Sequence, residues 1–200
     1  MKLIDVLKII QNLKTPVFRT SDVAAYLNIS TSHVSHILKR LTNSDHIISL
    51  KKGLWAISNE IDPLTLPNYL LSPFPSYISF YSALYYRNVI DQIPIIIYAA
   101  TLHKTVKITT PLATISAHQI QPDFFFSYTY DEKTKVKMAT AEKALIDILY
   151  LSSSRSKIFT ALPELDFDEI NVKKAKRIIE KIPFKSKKTF VQNKFNALFK

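Results

Sequence analysis

Only one glycine, Gly53, occurs in the 200 residues of this chain, where average usage near 7% would supply about fourteen. Wherever the backbone must turn through a left-handed conformation or let a ligand approach closely, it has to do so with residues that carry a Cβ. Several chemistries are excluded at once. A phosphate-cradling P-loop, a dinucleotide-binding glycine fingerprint and a hydrolase nucleophile elbow each need glycine at fixed positions, and none can be written in this sequence. The usual substitute at a helix end is asparagine, and Asn28 and Asn88 stand where helical patterns stop.

With 47% hydrophobic and 22% charged residues, the chain is in the range of a globular protein of one large or two small domains. Its formal charge is +11 and its pI near 9.7, a balance that attracts polyphosphate. The excess is not spread evenly: residues 1–60 carry +4, 61–150 carry 0 and 151–200 carry +7. There is no cysteine, so disulfides and thiolate metal sites are excluded, and the cytoplasm is the expected compartment. A charge, Asp5, interrupts the N-terminus before any long apolar run, and the most apolar stretch, Ile93 to Ala100, is too short to span a bilayer. No signal peptide or membrane anchor is expected.

In the first sixty residues Leu3, Val6, Leu7, Ile10 and Leu13 recur at helical spacing, predicting a helix that ends before Thr15-Pro16. Thr20-Ser21-Asp22 offers a capping hydroxyl and an acid for a second helix carrying Val23, Ala24 and Leu27, with Asn28-Ile29 as the turn after it. Ser30 should cap a third helix, whose Val34, Ile37, Leu38 and Leu41 fall at i, i+3, i+4 and i+7. The opposite face holds Thr31, Ser32, His33, Ser35 and His36, then Lys39 and Arg40. Short hydrogen-bonding side chains followed by cations suit a recognition helix, the first five facing base edges and the last two facing phosphates. A merely solvated helix face has the same pattern. The next segment favours recognition: two β-prone runs, Ile47 to Leu50 and Leu54 to Ile57, flank Lys51-Lys52-Gly53, predicting a hairpin whose Lys51 and Lys52 lie along a sugar-phosphate backbone. Residues 1–60 are therefore expected to form a winged helix-turn-helix.

Pro63, Pro67, Pro73 and Pro75 crowd the stretch that follows, so 61–75 is expected to be an extended connector. Residues 76–200 should form an α+β domain. A helix capped by Ser79 runs to Arg87, strands follow over Ile93–Ala100, Val106–Thr109, Thr114–Ile120, Phe124–Tyr130 and Lys135–Ala139, and Thr140 caps a helix with one apolar stripe. A basic tail over about 155–200 closes the chain; from Asn171 onward its charge is +9, with apolar residues interleaved at helical spacing. Lys173, Lys174, Lys176, Arg177 and Lys181 form a candidate auxiliary patch for phosphate.

Three segments in the middle, Tyr77-Ile78-Ser79-Phe80-Tyr81-Ser82-Ala83-Leu84, Ile95-Ile96-Ile97-Tyr98-Ala99 and Ala141-Glu142-Lys143-Ala144-Leu145-Ile146-Asp147, resemble the AbiEi-type abortive-infection antitoxins of type IV toxin–antitoxin systems, also described as transcriptional regulators of viral defence. The likeness covers about Leu3 to Leu151. It departs at Arg87-Asn88, where family members often carry His-Gly, and at Ala141, where they carry proline. The resemblance implies an antitoxin that represses its own promoter by binding repeated sites on double-stranded DNA and counters a nucleotidyltransferase-like toxin. Two other readings stand beside it: a protein-interaction module that neutralises a toxin with only incidental DNA binding, and a stand-alone winged-helix regulator without a toxin.

No catalytic site, metal or cofactor is expected. His33 and His36 are three apart on one helical face, but no carboxylate accompanies them there, and zinc wants three or four protein ligands. Asp166, Asp168 and Glu169 read as charges at a helix start rather than a catalytic pair.

Overall fold

The computed structural model describes residues 3–57, 61–152, 159 and 161–199. The end of the expected first domain, 58–60, and parts of the expected basic tail, 155–158, 160 and Lys200, lie outside the described residues. The fold is α+β, with eight α-helices and two sheets among the described residues. It divides into two compact units, 1–66 with 109–113, and 67–108 with 114–200.

The first unit opens with α1 (Leu3–Asn12), β1 (Val17–Arg19), α2 (Thr20–Leu27) and α3 (Thr31–Asn43), and continues with β2 (Ile47–Lys51) and β3 (Leu54–Ile57). The sheet order is β1-β3-β2, both pairings antiparallel. β1 is not expected from the sequence; three residues after a proline are too few for alternation to register, and it exists because β3 supplies its hydrogen bonds. One cluster of Val6, Ile10, Phe18, Val23, Val34 and Leu38 with their neighbours fills the space between helices and sheet. Asn28 takes the left-handed conformation at the end of α2 (φ 52°), as its position predicts. Thr20 does not cap α2: Arg19 holds that position, and the Asp22 carboxylate accepts the Arg19 backbone N–H at 2.9 Å. The Thr20 hydroxyl is occupied instead, accepting from Trp55 Nε1 at 2.8 Å.

After β3, the expected extended connector is partly helical: a 3₁₀ turn at Pro63–Thr65 leads into α4 (Leu66–Leu70). Proline is compatible with a first helical turn, where its missing N–H has no partner to lose.

The second unit contains β4 (Ser76–Ile78), α5 (Phe80–Tyr86), β5 (Ile97–Thr101), β6 (Val106–Thr109, all but its last residue), β7 (Thr114–Gln119), β8 (Tyr128–Tyr130) and β9 (Lys137–Ala139). These strands form one mixed sheet of order β6-β7-β5-β4-β9-β8, with β5 parallel to β7 and β4 parallel to β9. Then come α6 (Ala141–Ser152), α7 (Val172–Glu180) and α8 (Lys185–Leu198). Several strands are shorter than their apolar runs predict. Ile93 and Ile95 are 73% and 97% exposed and precede β5, while Pro122–Phe124 forms a 3₁₀ turn ahead of β8. Asp166 likewise starts a 3₁₀ turn, its carboxylate accepting the Asp168 N–H at 3.0 Å.

The helix α6 departs most from expectation. A single apolar stripe predicts one buried side, yet every residue from Glu142 to Tyr150 is buried, because α5, α7, α8 and β9 all pack on it. Thr140 caps it as expected, its Oγ1 accepting the Lys143 N–H at 3.3 Å.

His118 in β7 is 3% exposed, edge-on to Phe80 and Phe159, with Nε2 2.9 Å from Ser116 Oγ. Desolvation lowers its pKa from 6.5 to about 4. The unfolded chain therefore takes up a proton that the folded one refuses, so stability is complete above pH 6.5 and declines as pH falls toward 4. The expected loss is about 2–3 kcal/mol. Urea unfolding of wild type and His118→Gln across this range checks it; a wild-type profile no steeper than the variant's contradicts it.

Candidate nucleic-acid interface

The helix α3 begins where Ser30 accepts the His33 N–H at 3.2 Å. Before it, the left-handed Asn28 and the Ile29 N–H, which donates to Ala24 O at 3.2 Å, turn the chain between α2 and α3 within three residues. Val34, Ile37, Leu38 and Leu41 are all buried. With that seam inside, helical geometry forces the remaining positions outward: Thr31, Ser32, His33, Ser35, His36, Lys39 and Arg40 are every one exposed. From Thr31 to Arg40 the face is about 14 Å long, a size that a major groove admits. The Ser35 hydroxyl donates to Thr31 O at 2.8 Å, which leaves its oxygen as an acceptor for an outside donor.

The β2–β3 hairpin turns at Lys52-Gly53, with Gly53 at φ +75°. A Cβ there would have space, its nearest neighbour being Thr20 Oγ1 at 4.0 Å, so conformation rather than crowding requires the glycine. Lys51 and Lys52 are exposed. Arg19 stands near them, a residue whose place in the sequence gives no hint of that proximity. It pairs with Leu54 from the β1 side while Lys51 pairs with Leu54 from the β2 side, so the two cations flank β3, about 10 Å apart in backbone. The Lys51 ammonium is held below its ordinary pKa, first by burial of its stem and then by repulsion from Arg19. A phosphate between them would relieve that repulsion. Among the described residues the ion pairs are Lys143–Asp147 and Lys188–Glu180, so no carboxylate pairs with Arg19, Lys39, Arg40 or Lys52.

The auxiliary patch is divided by α7. Ala175, Ile178 and Ile179 are buried, and Lys174, Arg177 and Lys181 lie along one flank of that seam, where they line a recess. Lys173 and Lys176 do not line it.

A second polar cluster, which sequence spacing does not reveal, joins two of the segments that carry the family resemblance. Asp147 accepts from Tyr77 Oη at 3.0 Å, from Ser79 Oγ at 2.7 Å and from Lys143 Nζ at 2.5 Å. The Lys143 ammonium also sits 3.4 Å from the centroid of Phe124. Lys143 and Asp147 are both 0% exposed. Ser79 thus spends its hydroxyl on Asp147 and makes no capping bond to α5, contrary to expectation. Burial, then the Asp147 charge, pushes the Tyr77 phenol well above its ordinary pKa, and burial pulls the Lys143 ammonium down despite Asp147. The cluster clasps β4 to α6 out of reach of solvent.

No group of three or more His, Asp or Glu residues is placed to hold a metal among the described residues, and no helix among them is long and apolar enough to cross a membrane. No protein-family model matches the chain, and no curated protein matches it significantly.

Proposed function

We propose that this chain is a sequence-specific DNA-binding transcription regulator whose first unit is a winged helix-turn-helix. The observation that carries the reading is the α3 face: seven polar or cationic residues, all exposed, opposite a seam of four buried aliphatic ones. The α2–turn–α3 pair and a β2–β3 hairpin bearing Lys51 and Lys52, with Arg19 of β1 on its other flank, are the arrangement a winged domain uses to hold a helix in the major groove and a wing on the backbone. On the resemblance of its second unit, the regulator acts as the antitoxin of an abortive-infection system in phage defence, repressing its own promoter.

Binding to DNA from upstream of its own gene, compared with random duplex, tests this. Ser32→Ala and His36→Ala should each reduce discrimination by about 10- to 100-fold, since a base contact is worth roughly 1–3 kcal/mol. Lys51→Gln and Lys52→Gln should weaken both duplexes alike. Equal losses on both duplexes from all four would mean that α3 does not read bases.

A specific surface favours protein interaction as a second reading. Ile93 and Ile95 are exposed beside a recess of about 570 Å³ that Tyr81, Tyr98 and Leu162 also line, and exposed apolar surface of this kind marks partner sites. A nucleotidyltransferase-like reading frame next to the gene would supply the toxin; its absence would favour a stand-alone regulator.

A further inference from the structure

We infer that the second unit contains a binding site for a small phosphorylated ligand of nucleotide size, separate from the α3 face. The site is a recess of about 480 Å³ between the start of α6 and the flank of α7, within the volume range of small-molecule pockets. Lys174, Arg177 and Lys181 converge on it from α7, and Phe126, Ser127 and Thr140 form the other wall.

Each component suits a phosphoester. The three cations fall at i, i+3 and i+7, so one helical flank presents them together, and none of them is in an ion pair among the described residues. An anion in the recess would gain charge-assisted hydrogen bonds from these cations. Thr140 Oγ1 accepts the Lys143 N–H, which leaves its own proton to donate. Ser127 has no side-chain hydrogen-bond partner among the described residues, and its backbone is in the left-handed region at φ 61°, fixed there as its carbonyl accepts the Thr140 N–H at 3.1 Å. A serine in that conformation is strained where glycine would not be. One acidic group borders the recess: Glu142, 6% exposed, whose Oε1 accepts the Asn171 N–H at 3.3 Å. Its presence leaves the lining at a formal +2, enough for a phosphate dianion.

Inorganic phosphate alone would leave most of the space empty, and the lining also has an apolar part. Phe126 is half-buried with Lys181 Nζ 4.7 Å from its ring centroid, and Ile178 lies beside it. A phosphate attached to a flat or apolar body matches both the polar and the apolar parts of the lining. Duplex DNA is the competing partner for these cations, but a concave recess closed on one side by an aromatic ring fits a free molecule better than a rod of stacked base pairs.

The test is calorimetric titration of the full-length protein with ATP, inorganic phosphate and adenosine at low salt, where charge contacts are least screened. ATP should bind saturably, phosphate more weakly and adenosine not measurably. Arg177→Gln and Lys181→Gln, exposed positions whose replacement leaves the fold intact, should each weaken ATP by about tenfold or more. Lys173→Gln, off the recess, should leave ATP affinity unchanged, and Glu142→Gln, which keeps the acceptor for Asn171, should tighten it. Absence of saturable ATP binding, or an affinity equally reduced by Lys173→Gln and Arg177→Gln, would overturn the inference. So would Arg177→Gln and Lys181→Gln variants that lose duplex DNA while ATP never binds. The Ser32→Ala, His36→Ala double variant should bind ATP as wild type does, so failure of the α3 reading and failure of this one are told apart.

Discussion

Replacing Asp147 by alanine should cost about 3–5 kcal/mol, because it strands the Lys143 ammonium in the interior with only aromatic faces for company. A domain's whole margin is about 5–15 kcal/mol, so the second unit should be close to unfolding at physiological temperature. The two partners are not equivalent. If Lys143 is replaced by methionine, Asp147 still accepts from Tyr77 and Ser79, so Lys143→Met should cost less than Asp147→Ala. The double variant Lys143→Met, Asp147→Leu should recover much of the loss, since apolar side chains of similar volume often replace a buried pair without penalty. Urea unfolding followed by circular dichroism ranks the three. The single tryptophan, Trp55, is in the first unit, so its fluorescence monitors that unit separately. An Asp147→Ala cost below about 1 kcal/mol would mean that the clasp contributes little beyond packing.

The second large effect concerns the β2–β3 hairpin and the arginine of β1 beside it. If the first unit binds duplex DNA as proposed, changing Arg19, Lys51 and Lys52 together to glutamine should lower duplex affinity about 500-fold at 0.1 M salt, because taking three cations off the phosphates, at a slope of about 0.9 each, removes roughly 2.7 powers of ten. The deficit should shrink toward nothing near 1 M salt, and it should be the same on every sequence, since phosphate contacts position without reading bases. A deficit that is independent of salt would show that these side chains support the fold of the hairpin rather than touch a backbone. Leaving Arg19 intact should give a smaller change in slope, which separates the contribution of β1 from that of the turn.

How far the sequence discloses this protein depends on the distance over which each feature is decided. The α3 face was legible because Val34, Ile37, Leu38 and Leu41 mark its buried side at 3.6-residue spacing, and everything else on the helix must then point outward. The hairpin was legible from Lys51-Lys52-Gly53 between two β-prone runs, and the left-handed stops at Asn28 and Asn88 from the scarcity of glycine. Features decided by distant partners were not. β1 and β4 are three residues each, and only their neighbours in the sheets make them strands. The apolar run from Ile93 reads as one long strand, yet nothing covers Ile93 and Ile95, and β5 starts only at Ile97. The all-round burial of α6 depends on α7 and α8, which come later in the chain. The recess beside Arg177 unites residues from 126 to 181, a juxtaposition that no local spacing encodes. Arg19 is illegible in the sequence for the same reason: it stands across β3 from Lys51.

Seven non-glycine residues, Lys14, Asn28, Asp45, Phe80, Asn88, Ser127 and Lys135, occupy left-handed backbone among the described residues. Loops built this way are stiff, for a side chain bearing a Cβ has few neighbouring basins to escape into. Gly53 is the one joint in the chain without that restriction. Within the first unit a swing of the backbone is therefore cheapest at the hairpin tip, where Gly53 turns.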